Sequence, residues 1–446
     1  MHIDLRAKHK FLIKQLENDL AGNSQRLRIK KKTISNLFRY DGRKKLPTRE
    51  IDLSQFNKPL FLDAPNLTLD VQGLATYEQI VDFALPHGFL PLITPELKHI
   101  TVGGATVGIG IEANTFRYGF VHNGLLEADV LLTDGRVVTC SATNHYKDLF
   151  YGLANSYGTL GYILRAKIKL RKVLPYMMLS TQRFNDIQTL LSALKSATLE
   201  PENDAIESLV FSKNEQYLTI ARQTDTPTNL MSIYGDTIFY KEISKPGQIS
   251  LPTKEYVFRY DPEWFWNIPN DRLFHTFRKI APQKIRNSGF YAKYGEPLTH
   301  LLVRNKDDEQ IEQLIQDWEV PWKYADSLVN FVLQTVDFRG LPFLIAPIKV
   351  PQIATLYPMK KEQLYLNVGS YSFVKKIPNH PAYYTTKIID DFCFDHEGIK
   401  MLYSTTFLSE PEFNRIYNGE AYKMLKKKYD TLGLLPTLYE KAVQSY

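Results

Sequence analysis

The stretch ITVGGATVGIGIEANTF (100–116) places four glycines, Gly103, Gly104, Gly108 and Gly110, within eight consecutive positions. Glycine loses more conformational freedom on folding than any other residue, so it is costly inside regular structure. A main chain stripped of side chains over this length limits the fold more than any other feature, because something must come very close to it. A tight turn serving packing alone accounts for one or two glycines more easily than for four, and a second glycine turn, GTLGY, stands at 158–162. Successive bare N–H groups form an anion-binding concavity, and missing Cβ atoms let phosphates approach. The expected occupant is a pyrophosphate gripped by the amides around Gly104.

The run Gly108-Ile109-Gly110-Ile111-Glu112-Ala113 also matches GxGxxG/A, with Asp129 near the acidic spacing of a nicotinamide-binding fold. That fingerprint requires a strand before it and a long helix opening from it. The next residues, NTFRYGFVHNGLL, carry further glycines and no 3.6-residue period, so this reading is rejected.

The flanking pattern alternates helices and strands. Residues 6–20 read as an amphipathic helix with Phe11, Leu12, Leu16 and Leu20 on one side. Residues 67–73 read as a strand, and 76–88 as a helix with Thr76 and Gln79 at capping-box spacing and Gly88 as its stop. The segment 125–141 reads as a hairpin turning on the two residues Asp134-Gly135. In 162–173, Ala166, Ile168 and Leu170 alternate with Lys167, Lys169 and Arg171, the period of a strand with one apolar face. Beyond 174 the elements lengthen, and the tail carries a helix, a strand (IKMLYSTTF) and two helices past 409. The reading is α+β, divided at 1–174, 175–380 and 381–446.

With 446 residues, 44% of them hydrophobic and 23% charged, the chain has an ordinary globular composition and room for two or three domains. Its two cysteines, Cys140 and Cys393, sit in apolar settings with no CxxC or HExxH pattern, so neither a disulfide framework nor a metal site is expected. No apolar run reaches the ~18 residues of a membrane span. A soluble, cytoplasmic protein is expected. The net charge of +7 is concentrated in 25–45, where nine Lys/Arg face one Asp. Such a run is a candidate contact for anionic membrane or a solvated face. No nucleic-acid-binding signature is present, and no nucleic-acid partner is expected.

PELKHITVGGATVGIGIEANTFRYG, EADVLLTDGRVVTCS and DLFYGLANSYGTLGYILRAKIKL together resemble the PCMH-type FAD-binding domain of the vanillyl-alcohol-oxidase superfamily. Within it the similarity is greatest to the delta(24)-sterol reductase group and its bacterial relatives, and it continues at YLNVGSYSF and HEGIKMLYSTTFLSEPEFNRIYN. The resemblance implies a flavin held between two α+β subdomains under an α+β cap that forms the substrate site. Carried over position by position, it implies FAD contacts from Ser35, Asn36, Leu37, Phe38 and Arg39. It implies others from Pro95, Glu96, Leu97, Thr101, Val102, Gly103, Gly104, Gly108, Gly110, Ile111 and Glu112, and along Gly158, Thr159, Gly161, Tyr162 and Ile163. Arg39 would neutralise the diphosphate. Since KKKTISNLFRYDG lacks the histidine that attaches flavin covalently in many oxidases of the superfamily, non-covalent FAD is expected.

The resemblance thus implies an FAD-dependent oxidoreductase moving hydride between flavin and a carbon–carbon double bond of an apolar, lipid-like substrate, with NADPH as a candidate reductant. The alternatives are an oxidase or dehydrogenase of an alcohol or sugar-lipid on the same fold, and a non-enzymatic module for anionic surfaces. The proton-handling candidates are Tyr403, His396, Lys400 and Asn367, weighed against a helix C-terminus capped by Gly398 for His396 and against a core position for Tyr403. The aromatic run RYDPEWFWNIP (259–269) suits either an apolar site or a core.

Overall fold

The structure is a computed structural model that describes residues 4–30, 48–235, 238–266, 276, 280–295 and 311–444. The Ser35–Arg39 loop lies outside the described residues, as does most of the basic run.

Strands β1 (Leu27–Lys30) and β2 (Arg49–Asp52) pair in parallel. After them come β3 (Pro59–Asp63), β4 (Thr68–Gln72), β5 (Phe89–Pro91), β6 (Leu125–Leu131), β7 (Val137–Ser141) and β8 (Tyr162–Lys172). These six form an antiparallel sheet in the order β3-β4-β8-β6-β7, with β5 also on β8. The alternation in β8 buries Ala166, Ile168 and Leu170 and turns Lys167, Lys169 and Arg171 outward. The helix Tyr77–Ala84 begins on the Thr76/Gln79 capping box, and Gly88 ends the turn after it in the left-handed region (φ 79°).

Two local expectations change. The β6–β7 connection is a three-residue loop, Thr133–Gly135: Leu132 N–H bonds Arg136 O at 2.9 Å, and Gly135 takes φ 88°. In the helix Arg6–Leu20 the buried stripe is His9, Leu12, Leu16 and Leu20; Phe11, one position off it, is 60% exposed. His9 Nε2 lies 3.3 Å from Asp129, whose carboxylate also receives Arg165 Nε at 2.7 Å. The acidic residue at dinucleotide spacing is therefore an internal ion-pair partner.

A second antiparallel sheet takes β9 (Tyr176–Phe184), β10 (Ala205–Ser212), β11 (Glu215–Thr224), β12 (Gly247–Pro252), β13 (Ile311–Pro321), β14 (Phe343–Lys349), β15 (Leu364–Lys375) and β16 (Ile399–Lys400). Its order is β12-β9-β11-β10-β14-β15-β13-β16. The helices Ile187–Ala197, Ala325–Thr335 and Tyr384–Asp395 cover one face, where Leu190, Leu328 and Ile389 pack on Leu314, Trp318, Leu366 and Val368. The opposite face joins the core of the first sheet in one continuous apolar cluster.

After β16 the chain runs without further strand into the helices Glu410–Ile416, Gly419–Tyr429 and Leu438–Ala442, three where two were expected. The second of these lies on the helix Lys147–Gly152. Leu425 fills the space beside Gly152, and Lys428 and Tyr429 hold Asp148 at 2.7 and 2.6 Å. This segment therefore reaches both sheets.

The tightest contact in the first sheet is at Gly73, where an added Cβ would stand 1.9 Å from Ile163 O. Backbone cannot yield as a side chain does, so Gly73→Ala should lose more than about 3 kcal/mol, the upper end of overpacking costs. At Gly433 (φ +62°, nothing within 4 Å), alanine should lose only the left-handed penalty of about 1–2 kcal/mol. Urea denaturation of both variants checks the ranking, and the reverse order would refute the close approach.

Candidate functional site

The glycine stretch does not form a loop of bare amides. It folds as the helix Val102–Val107, with Thr101 as N-cap. Its first amides are already engaged: Val102 N–H with Ala75 O at 3.0 Å, Gly103 N–H with Gly73 O at 2.9 Å, Gly104 N–H with Thr101 Oγ1 at 3.2 Å, and Ala105 N–H with Thr101 O at 2.9 Å. Much of what comes close to this backbone is protein. A Cβ at Gly103 would meet Gly73 O at 2.8 Å, and one at Gly110 would meet Val121 Cγ2 at 2.6 Å. Gly104 differs: it is exposed, lines a cavity, and a Cβ there would meet only Thr101 Oγ1 at 3.0 Å. The helix closes with Gly110 N–H on Ala105 O at 3.0 Å, which leaves Ile109 at φ 57°. A β-branched residue in that region is strained. Ile109 is held there fully buried against the cavity wall.

That cavity has a volume of about 390 Å³, within the roughly 300–1,000 Å³ of small-molecule sites. Its walls include Pro95, Glu96, Leu97, Thr101, Gly103, Gly104, Gly108, Gly110, Ile111, Glu112, Gly158, Gly161, Tyr162 and Ile163. Two residues of the expected set lie elsewhere. Val102 is core, and Thr159 is buried with its hydroxyl on Ser156 O at 2.7 Å. The cations in the lining are Arg28, which is paired with Glu50, and Lys441, whose ammonium reaches Tyr157 O at 2.6 Å. The acids there are Glu96, Glu112 and Asp317.

The second sheet supplies the far end. Alternation along β13 sends Leu314, Trp318 and Val320 to the helices, and Asp317 and Glu319 to the other face. On β15 the same rule puts Asn367, Gly369 and Tyr371 on the inner face, and Gly369 stands directly opposite Asp317. A Cβ at Gly369 would lie 2.6 Å from Asp317 Oδ1, so the missing side chain makes room for the carboxyl. Asn367 Nδ2 donates to Asp317 Oδ1 at 3.0 Å, and Tyr371 and Tyr403 hydroxyls donate to Oδ2 at 3.0 and 2.8 Å. Asp317, Tyr371, Tyr403, Met401 and Phe265 all line the cavity. Phe265 stacks on Tyr371 with ring centroids 4.0 Å apart, and Phe265 and Trp264 are held at φ 62° and 44°. The rest of the 259–266 aromatic run is core: Tyr260 donates to Glu207 at 3.0 Å and Trp266 to Ser372 at 2.8 Å.

Two expected catalytic residues lie outside the cavity lining. Lys400 is fully buried and does not line the cavity that Met401 and Tyr403 border, with its ammonium 2.7 Å from Asp390 and 3.0 Å from Thr405 O. His396 ends the helix Tyr384–Asp395, with Nδ1 2.7 Å from Phe392 O and its ring on Phe392. Gly398 N–H closes on Cys393 O at 2.9 Å, but the left-handed residue is Glu397, at φ 57°. Asn367 touches Asp317 and lines a smaller cavity of about 40 Å³ behind it, not the main one. Asp317, Tyr371 and Lys441 escaped the sequence reading. A strand-interior glycine in YLNVGSYSF marks a close approach, and the period-2 rule then selects Asn367 and Tyr371. Nothing local marks Lys441.

Burial sets the electrostatics. It pushes the Asp317 carboxyl above its ordinary value, against the three hydrogen bonds that stabilise its charge. Burial also raises Glu96 and Glu112, which face each other: Glu96 N–H donates to Glu112 Oε1 at 2.8 Å, and Arg259 pairs with Glu96. Tyr371 and Tyr403 are raised first by burial and then by Asp317, so both phenols are protonated at neutral pH.

Comparison with known proteins shows what the sequence is similar to. Residues 45–141 match the FAD binding domain family. The chain is 25% identical to the delta(24)-sterol reductase of Homo sapiens over 401 residues, covering 86% of this chain and 75% of that protein. The Arabidopsis thaliana delta(24)-sterol reductase is 26% identical over 439 residues, covering 88% and 76%. Cytokinin dehydrogenase 3 of Arabidopsis thaliana is 35% identical over 104 residues, 23% of this chain and 20% of that one. No helix among the described residues is long and apolar enough to cross a membrane.

A buried carboxyl raised in the folded state stabilises below its unfolded value, and that contribution is lost as pH climbs through the folded one. Glu96 is pushed up to about 7 and Glu112 upward with it. The unfolding free energy should therefore fall between about pH 5 and pH 8, by about 1.4 kcal/mol for each tenfold difference in proton affinity between the folded and unfolded carboxyl. Glu112→Gln keeps the hydrogen bond from Glu96 and removes one charge, so urea denaturation should show a flatter decline. An unchanged slope would show that Glu112 carries no part of the decline.

Proposed function

Taking the chain as an FAD-dependent oxidoreductase that carries a PCMH-type FAD-binding domain and resembles the delta(24)-sterol reductases, we propose that the 390 Å³ cavity holds the flavin cofactor and passes hydride to the carbon–carbon double bond of a sterol-like substrate. One observation carries this reading. A single cavity joins the glycine surface at Gly104, Gly158 and Gly161 to the Asp317–Tyr371–Tyr403 cluster of the second sheet.

The lining fits FAD in kind. Gly104 leaves a bare wall for close approach, Lys441 and Arg28 offer positive charge to a diphosphate, and the amides of 102–105, already bonded, are not needed for that role. Non-covalent binding is kept as part of this reading. When bound, the flavin supplies hydride exchange with a carbon centre. The chain's part is to hold the substrate against an apolar end formed by Phe265 and Met401, exclude water, and manage a proton. Sterols are the substrate class in the relatives' names, and an apolar end with an isolated acid–phenol cluster suits such a molecule. A second reading, dehydrogenation or oxidation on the same fold, is favoured by the 35% match to cytokinin dehydrogenase 3.

Purified protein should be yellow, with absorbance near ~450 nm arising from the cofactor itself. NADPH should bleach it, air should reoxidise it slowly, and a Δ24-unsaturated sterol should reoxidise it and gain two hydrogens by mass. Rapid reoxidation by air with no effect of the sterol would support the second reading instead. Gly104→Val should fold yet lose FAD, and normal flavin content would remove the cofactor from this wall. Lys441→Met should weaken FAD binding about tenfold, about 1.4 kcal/mol, as measured by quenching of flavin fluorescence. Unchanged affinity would leave the diphosphate without its proposed cation.

A further inference from the structure

We propose that Tyr403 and Asp317 form the proton-handling pair of this enzyme: Tyr403 gives a proton to the substrate carbon that does not take the hydride, and Asp317 returns one to Tyr403. This rests on the cofactor placement above. The observation behind it is geometric. Asp317 Oδ2 lies 2.8 Å from Tyr403 Oη and 3.0 Å from Tyr371 Oη, so a proton on that oxygen can pass to either phenol. Asn367 fixes the other oxygen at 3.0 Å, and Gly369 leaves the carboxyl its space.

Asp317 also borders a second space. The cavity of about 40 Å³ behind it is lined by Asn367, Glu96, Glu112, Glu207 and Arg259, large enough for a water, which needs roughly 10–15 Å³. Asn367 Oδ1 is buried there with no hydrogen-bond partner among the described residues, as a water site would leave it. The titratable groups around Asp317 are Tyr371 from β15, Tyr403 from the segment after β16, Glu319 from its own strand, and Glu96, Glu112, Glu207 and Arg259 around the small cavity. One cation among so many carboxylates favours keeping a proton in the group, and burial raises Asp317 in the same direction.

In the reducing direction the substrate's π bond is consumed. A bound reduced flavin would supply hydride, with its electron pair, to one carbon. The other forms a C–H bond with the proton that leaves Tyr403 Oη. The phenolate takes the Asp317 proton, and the carboxylate is reprotonated from the small cavity. In the oxidising direction the same proton travels backwards, so the pair serves either outcome of the reaction test.

The experiment uses full-length protein with FAD and the variants Tyr403→Phe, Asp317→Asn and Tyr371→Phe, each first shown to bind FAD within about threefold of wild type. Infrared spectroscopy as a function of pH should show a protonated carboxyl band that survives above the ordinary aspartate range, vanishes in Asp317→Asn and shifts in Tyr403→Phe. The same band in wild type and Asp317→Asn would overturn the proposal without any substrate being known. Dithionite-reduced protein mixed with a Δ24-unsaturated sterol supplies the second arm. Tyr403→Phe should slow flavin reoxidation by roughly 10²–10⁴-fold, the usual worth of a general acid, and Asp317→Asn should move the pH profile. Tyr371→Phe, which removes one of the hydrogen bonds on Asp317 Oδ2, should shift the infrared band but slow reoxidation less than Tyr403→Phe, and a slowing equal to or larger than that of Tyr403→Phe would overturn the assignment of the donor to Tyr403. If wild type ignores the sterol, the substrate reading fails while the infrared result still decides this one; wild-type rates and profile in Tyr403→Phe would overturn it.

Discussion

The site depends on backbones meeting where no Cβ can stand. Gly73 at the end of β4 lies against Ile163 and Leu164 of β8, and Gly103 lies against Gly73. These contacts seat the short glycine helix directly on the sheet and consume its first amides. The helix then presents Gly104 to the cavity as a bare surface. One extra carbon at Gly73 would push strand from strand, since hard-sphere contact at that distance has no soft solution. Side-chain-free backbone therefore plays two roles in one run: most of the glycines let the protein approach itself, and Gly104 leaves room for something else.

The other wall comes from strand pairing. An antiparallel register of β13 with β15 sets Asp317 opposite Gly369, and period 2 then brings Asn367 and Tyr371 to the same face. A slip of one residue would send Asp317 into the helix-covered core and Trp318 into the cavity. The large apolar face of β13, with Leu314, Trp318 and Val320 under three helices, makes that slip prohibitively costly. Packing on one side of the sheet thus holds the chemistry on the other.

Charge divides the cavity. Lys441 and Arg28 stand by the 157–162 turn and β1, while Glu96, Glu112 and Asp317 gather toward the second sheet. The first region carries the positive charge and the second the acids. Burial penalises the charged forms of the acids in the second and raises them, while Arg259 is shared between Glu96 and Glu207. The strained residues, Ile109, Trp264 and Phe265, sit at or beside this same wall, where the surrounding core holds them in place.

The sequence by itself determined the local elements and the resemblance to an FAD-binding domain. The capping box at Thr76, the alternation in β8 and the paired glycine runs each encode their structure within a few residues, because caps, pleats and turns are short-range constraints. It also marked most of the first wall, Thr101 to Glu112 and Gly158 to Ile163. It misjudged what the glycines were for, since a missing Cβ does not say what fills the space. Only the tertiary structure could separate Tyr403 from Lys400, or set Asp317 beside it across 86 residues of chain. Lys441 likewise meets Tyr157 across 284 residues. Such contacts depend on register and on which side of a strand a residue faces, and a single step of one residue reverses that choice.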